Sequence, residues 1–68
     1  MSVGELVNSG PDFDSDRIYS ALTGDLLDDF DDRYDVLGAY SDEPLYEWTV
    51  FSDTPDYATG YIEITISD

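Results

Sequence analysis

The stretch Asp25-Leu26-Leu27-Asp28-Asp29-Phe30-Asp31-Asp32-Arg33-Tyr34-Asp35 decides how this chain is read. Leu26, Leu27, Phe30 and Tyr34 recur at i, i+1, i+4 and i+8, the spacing of one apolar helical stripe. The opposite face then carries Asp25, Asp28, Asp29, Asp32 and Asp35. The periodicity predicts a helix over residues 25–35 with five carboxylates along one side. Like charges at i+3 and i+4 destabilise a helix by roughly 0.2–0.5 kcal/mol per pair. Seven such pairs fall within this segment once Asp31 is counted, about 1.5–3.5 kcal/mol together before salt screening. Only Asp29 and Arg33 offer a compensating attraction at i+4. A core of this size supplies roughly 3–5 kcal/mol of net stability, so the acidic face points to a partner rather than to solvation alone.

Upstream, Asp14 to Leu22 reads as a short helix. Asp14 or Ser15 caps it, Ile18, Tyr19 and Leu22 form its apolar face, and Gly24 closes it. The N-terminal patch Val3 to Val7 fits a short strand or a helical turn equally, and Asn8-Ser9-Gly10-Pro11 is turn chemistry. Downstream the period changes to two. Val36 to Tyr40 reads as a strand, followed by a loop at Ser41-Asp42-Glu43-Pro44. Leu45 to Phe51 alternates, with Tyr46, Trp48 and Val50 on one side and Glu47 and Thr49 on the other. After a turn at Ser52 to Asp56, Tyr57 to Ile66 alternates again, with Ile62, Ile64 and Ile66 on one face and Gly60 marking a bulge. The last two runs are expected to form an antiparallel hairpin. The predicted core is Leu22, Leu26, Leu27, Phe30, Val50, Ile62, Ile64 and Ile66. The fold class is α+β: short N-terminal helices packed on a small antiparallel β-sheet of about three strands, in a single domain over residues 1–68.

Composition sharpens the functional expectation. Seventeen acidic residues, thirteen of them Asp, face two Arg and no Lys or His, a formal charge of −15. Small domains ordinarily carry a net charge of magnitude about 2–8, and larger values work against compaction through self-repulsion. An apolar content of 41% and an aromatic content of 15% still predict a folded chain rather than a disordered one. Without Cys there are no disulfides, and without Cys or His a structural zinc site is not expected. Met1 to Gly10 lacks the pattern of a signal peptide and no run is long enough to span a bilayer, so an intracellular, cytoplasmic location is expected. Nucleic acid and anionic membranes would repel the chain. The expected partner is a basic surface, met by a monomer or a homodimer.

The partner-binding candidates are the carboxylates Asp12, Asp14, Asp16, Asp25, Asp28, Asp29, Asp31, Asp32, Asp35, Asp42 and Glu43. Ten helical steps cover about 15 Å. Five acids on that length give about one charge per 3 Å, against one phosphate per about 3.4 Å along a DNA strand. Asp53 and Asp56 could extend the array, and Tyr57 and Tyr61 could stack on partner guanidinium groups. Arg17 and Arg33 are expected to pair with nearby Asp. Clustering of the acids within residues 12–35 favours a binding face over the uniform solvation shell of a halophilic protein.

Asp12, Asp14 and Asp16 match the opening of a calcium loop, but Arg17 stands where Gly is needed and Thr23 where a bidentate Glu should sit. No metal or other cofactor is expected. With no His, Cys or Lys there is no activated nucleophile, and with so many acids a carboxylate pair arises by chance, so no enzymatic activity is expected.

Small size, absence of Cys, Asp-rich acidity and an aromatic-rich α+β pattern together resemble the phage-encoded DNA-mimic inhibitors. Among them the chain is most similar to the small anti-CRISPR proteins that block type I Cascade surveillance complexes. The resemblance covers the whole chain and is one of character, without a diagnostic motif. It implies competition with DNA for the basic groove of a bacterial protein or ribonucleoprotein complex, in the cytoplasm of an infected host. Inhibition of another DNA-binding enzyme, such as a restriction enzyme or a DNA glycosylase, or an acidic adaptor of halophilic type, are the alternatives.

Overall fold

In the computed structural model, which describes residues 1–53 and 59–68, two helices lie on one face of a four-stranded mixed sheet. The fold is α+β, with four strands rather than three. The elements run α1 (Val3–Ser9), β1 (Ser15–Ser20), β2 (Leu26–Phe30), α2 (Arg33–Tyr40), β3 (Leu45–Phe51) and β4 (Tyr61–Ile66). The strand order is β2-β1-β4-β3; β1–β2 and β4–β3 are antiparallel hairpin pairs, and β1 and β4 join them in parallel.

Val3 to Val7 resolves as helix because Ser2 and Glu5 form a reciprocal capping box. The Ser2 Oγ accepts from the Glu5 N–H at 3.2 Å, and the Ser2 N–H donates to Glu5 Oε1 at 3.3 Å. Val3, Leu6 and Val7 then share the face turned to the sheet.

The two helices expected at 14–22 and 25–35 do not form. Residues 15–20 are strand β1, whose alternation was hidden because two of its three inward residues, Asp16 and Ser20, are polar and flank Ile18. Leu22, expected in the core, is 79% exposed in the turn after β1. Gly24, read as a helix C-cap, serves that turn instead, with φ at 77°. The acidic segment divides into strand β2, a turn at Asp31, and the start of α2. The like-charge penalty calculated for a continuous helix is the physical reason: none of Asp25, Asp28 and Asp29 lies in a helix, so most of those pairs never become neighbours one turn apart. Leu26 and Leu27, expected in the core, are 51% and 43% exposed.

The run 36–40, read as a strand, is the body of α2. Asp32 caps it, its Oδ1 accepting from the Tyr34 N–H at 2.8 Å, and Val36 is buried beneath it. The hairpin expected downstream does form. β3 spans the predicted 45–51, and Val50 opposes Ile62 as Trp48 opposes Ile64. Ile62, Ile64 and Ile66 are buried on one face as expected, with Phe30 and Val50 half-buried against them. β4 starts at Tyr61; Tyr57 and the rest of the turn expected at 54–56 lie outside the described residues.

Gly60 has φ at 116°, and a Cβ there would sit 2.2 Å from the Phe51 carbonyl oxygen. At Gly24 a Cβ would meet nothing within 4 Å. Gly24→Ala is therefore expected to cost about 1–2 kcal/mol from backbone strain alone. Gly60→Ala adds a clash with backbone and is expected to cost about 3 kcal/mol or more. Urea melts of the two variants give this difference directly; equal losses would contradict the close approach at Gly60.

Candidate interaction surface

The eleven candidate carboxylates do not share a single stripe. Asp28 and Asp29 are consecutive on β2, so they point to opposite faces of the sheet. Asp28 accepts from the Tyr40 hydroxyl on the helix side. Asp29 lies on the open side, where it accepts from the Ser15 hydroxyl and stands 3.8 Å from Arg17 Nε. Asp31 follows in the turn, Asp32 caps α2, and Asp35 is in the first turn of that helix, where a negative charge suits the macrodipole.

Sheet register groups these acids by position. Asp16 opposes Phe30 on β2 and Ile62 on β4, at the end where β1 begins and β2 stops. Asp12, Asp29 and Asp32 all act electrostatically on Asp16, which places them at that same end. Asp14 is there as well, its Oδ2 accepting from the Gly60 N–H at 3.0 Å. Asp42 and Glu43 lie at the other end, beside α1; the Glu43 carbonyl accepts from the Val3 N–H at 2.9 Å. Asp25 is also there, in the β1–β2 connection, its carbonyl accepting from the Ser20 N–H. Asp12, Asp14, Asp25, Asp28, Asp29, Asp31, Asp32, Asp35 and Asp42 are exposed, and Glu43 is half-buried.

Asp16 is the exception. It is 2% exposed, and one of its carboxylate oxygens has no hydrogen-bond partner. The alternation that makes β1 a strand drives it inward beside Ile18, so it presents no free charge at the surface. Burial first, and then the charges of Asp12, Asp29 and Asp32, push its pKa up to about 6.

Aromatic side chains tie several charged groups down. The Tyr40 pKa is pushed up to about 12, chiefly by its hydrogen bond to Asp28. Tyr19 is raised as well, first by its hydrogen bond to Glu63 at 3.0 Å. Tyr61, expected to wait for a partner guanidinium, already holds one. The Arg17 guanidinium carbon lies 4.1 Å from its ring centroid, and Phe51 stacks on it at 4.9 Å. Arg33 stands 5.4 Å over the ring of Tyr34. Both arginines of the chain are thus folded back onto its own rings, and Arg17 alone reaches an Asp within ion-pair distance among the described residues. Asp68 has its pKa lowered, first by the Ser20 hydroxyl and then by the Leu22 N–H.

Among the described residues, no group of three or more acids is placed to hold a metal ion. The calcium-like run fails geometrically, since Asp16 turns into the core while Asp14 is committed to Gly60. No helix of the described residues is long and apolar enough to cross a membrane. Comparison with protein-family models, with curated proteins and with solved structures gives no match.

Proposed function

We propose that this chain is a DNA-mimic inhibitor that occupies the basic DNA-binding groove of a nucleic-acid-binding complex, in the manner of anti-CRISPR proteins that block type I Cascade. The observation that carries this reading is charge per length. A net charge of −15 lies on a body 31 Å long, or 31 divided by 15, about one unit per 2 Å. Leaving out Asp56, which falls outside the described residues, and the buried Asp16 leaves a charge of −13, or 31 divided by 13, about one unit per 2.4 Å. Duplex DNA carries one charge per about 1.7 Å of axis, both strands counted, and one helical turn spans about 34–36 Å. The body therefore offers the charge of somewhat less than one duplex turn on a folded scaffold. Both Arg are drawn back onto Tyr rings, which limits their opposition to that field.

Acids at both ends of the fold also suit an evenly solvated halophilic surface, and salt separates the two readings. A mimic folds at low ionic strength and binds its target more weakly as salt rises, because exposed charge contacts are screened. Stability of the free protein moves the other way as self-repulsion is relieved. The expected result is displacement of target duplex from purified type I Cascade complexes, followed by gel shift, weakening at least tenfold between 50 and about 300 mM salt. A chain that needs molar salt to fold, or that binds equally at both salts, is not a DNA mimic.

A further inference from the structure

The helices leave part of the sheet uncovered. α1 packs with α2 over the β2-β1-β4 side, and a cavity of about 270 Å³ remains between the C-terminal end of α1 and edge strand β3. Its walls are almost wholly apolar, with Pro11 and Phe13 on the loop side and Val50 and Ile62 on the sheet side. Trp48, half-exposed, contributes an aromatic wall. Among the described residues, Asp16 is the only ionisable one that lines it. The volume lies just below the roughly 300–1,000 Å³ of small-molecule sites, which suits one side chain better than a larger ligand.

An ionised carboxylate with an unpartnered oxygen, buried against apolar walls, lacks a counter-charge. Asp12 on the preceding loop, Asp29 on β2 and Asp32 at the cap of α2 all oppose its ionisation, and no cation is close enough to Asp16 to form an ion pair among the described residues. An occupant that satisfies this site needs an apolar stem for the walls and a compact cationic tip for Asp16. Arginine and lysine side chains have that form, and an arginine guanidinium can also stack on Trp48.

We propose that the cavity between α1 and β3 receives one alkylguanidinium or alkylammonium group, supplied by an arginine or lysine side chain of the basic partner, with Asp16 as its counter-ion. The identity of the partner rests on the DNA-mimic reading; the chemistry of the cavity does not. DNA-like contacts on the outer carboxylates would then be joined by one inserted anchor that DNA itself cannot make.

The chain contains one tryptophan, so Trp48 fluorescence reports on the cavity. The full-length protein is titrated with n-butylguanidinium and with uncharged 1-pentanol at constant ionic strength. The cation is expected to change Trp48 emission saturably at pH 7.5 and to bind about tenfold more weakly at pH 5, where most of Asp16 is protonated. Asp16→Asn removes that binding and its pH dependence. Val50→Phe, which fills the cavity and leaves Asp16 intact, also blocks it. Equal binding of 1-pentanol, or unaltered cation binding by either variant, overturns the site. In the duplex-displacement assay Val50→Phe is expected to lose at least tenfold in potency. A variant that blocks the probe yet displaces DNA as well as wild type overturns the supply of the cation by the partner. Failure of the wild-type protein to displace DNA overturns the mimic reading and the partner with it, while the probe titration still decides the cavity.

Discussion

Asp16→Leu makes the protein more stable at pH 7.5, by about 2–3 kcal/mol. The buried carboxylate has its pKa raised to about 6, against about 3.9 for an unperturbed Asp. Each unit of difference corresponds to about 1.4 kcal/mol, so the ionised group works against the folded state by about 3 kcal/mol once both forms are ionised. The sign follows from proton counting. Between about pH 4 and 6 the folded state holds a proton on Asp16 that the unfolded chain has released, so wild-type stability falls as pH rises through that window. Below it both states are protonated and the penalty vanishes. Leu has nearly the shape of Asp, brings no polar atom, and can expand into the neighbouring cavity. Asn removes the charge but leaves an amide without a partner, so Asp16→Asn gains only about 1 kcal/mol. Thermal melts between pH 4 and 8 test this. The Leu variant is expected to melt about 10 °C or more above wild type at neutral pH and by a smaller margin at pH 4, where only the unpartnered neutral carboxyl still counts against wild type. A Leu variant less stable than wild type at pH 7.5 would show that Asp16 has a partner that offsets its burial. A large gain would mark Asp16 as a residue kept at the expense of stability, the usual sign of a functional group.

The two halves of the sequence were unequally legible, and the difference is one of locality. β4 alternates cleanly because its inward residues are apolar, and it pairs with its sequence neighbour β3 despite an irregularity between Leu45 and Glu47, so the Ile62-Ile64-Ile66 face and its hairpin could be read directly. β1 obeys the same alternation, but Asp16 and Ser20 take inward positions and leave Ile18 as its only buried apolar side chain. Its place beside β4 is a parallel pairing between residues more than forty positions apart, which no local period records. At Asp25 to Asp35 the apolar spacing favoured helix while the charge spacing opposed it, and the charge argument was the better guide. Capping marked the true helices: Ser2 with Glu5 opens α1, and Asp32 with Asp35 opens α2. Of the candidate site, the exposure of most carboxylates followed from composition, since this many acids cannot be buried. Their division between two ends, the burial of Asp16 and the capture of Tyr61 by Arg17 depend on long-range strand order.

That division turns the acidic surface into a test between its ends. Asp12, Asp29, Asp31 and Asp32 stand where β1 begins and α2 starts; Asp25 and Asp42 stand at the far end. Asn keeps the shape of each residue and removes its charge, and at Asp32 it remains a good helix cap. A carboxylate left in solvent by the partner contributes about 0.2–1 kcal/mol, whereas one desolvated against a partner Arg contributes about 2–5 kcal/mol. Two or more desolvated contacts among the first four acids would therefore weaken binding by about a thousandfold or more when all four are Asn. Their removal also relieves mutual repulsion and the field on Asp16, so the fold is expected to hold or gain stability, and the Asp16 pKa to fall. Asn at Asp25 and Asp42 is expected to cost less than tenfold. The measurement is displacement of duplex DNA from the target complex, read beside a thermal melt of each variant. If the four-Asn protein stays folded and competes as wild type does, the acids at the β1–α2 end form only a solvated face. A loss that follows Asp25 and Asp42 instead would move the interface to the opposite end, where the α2–β3 loop meets α1.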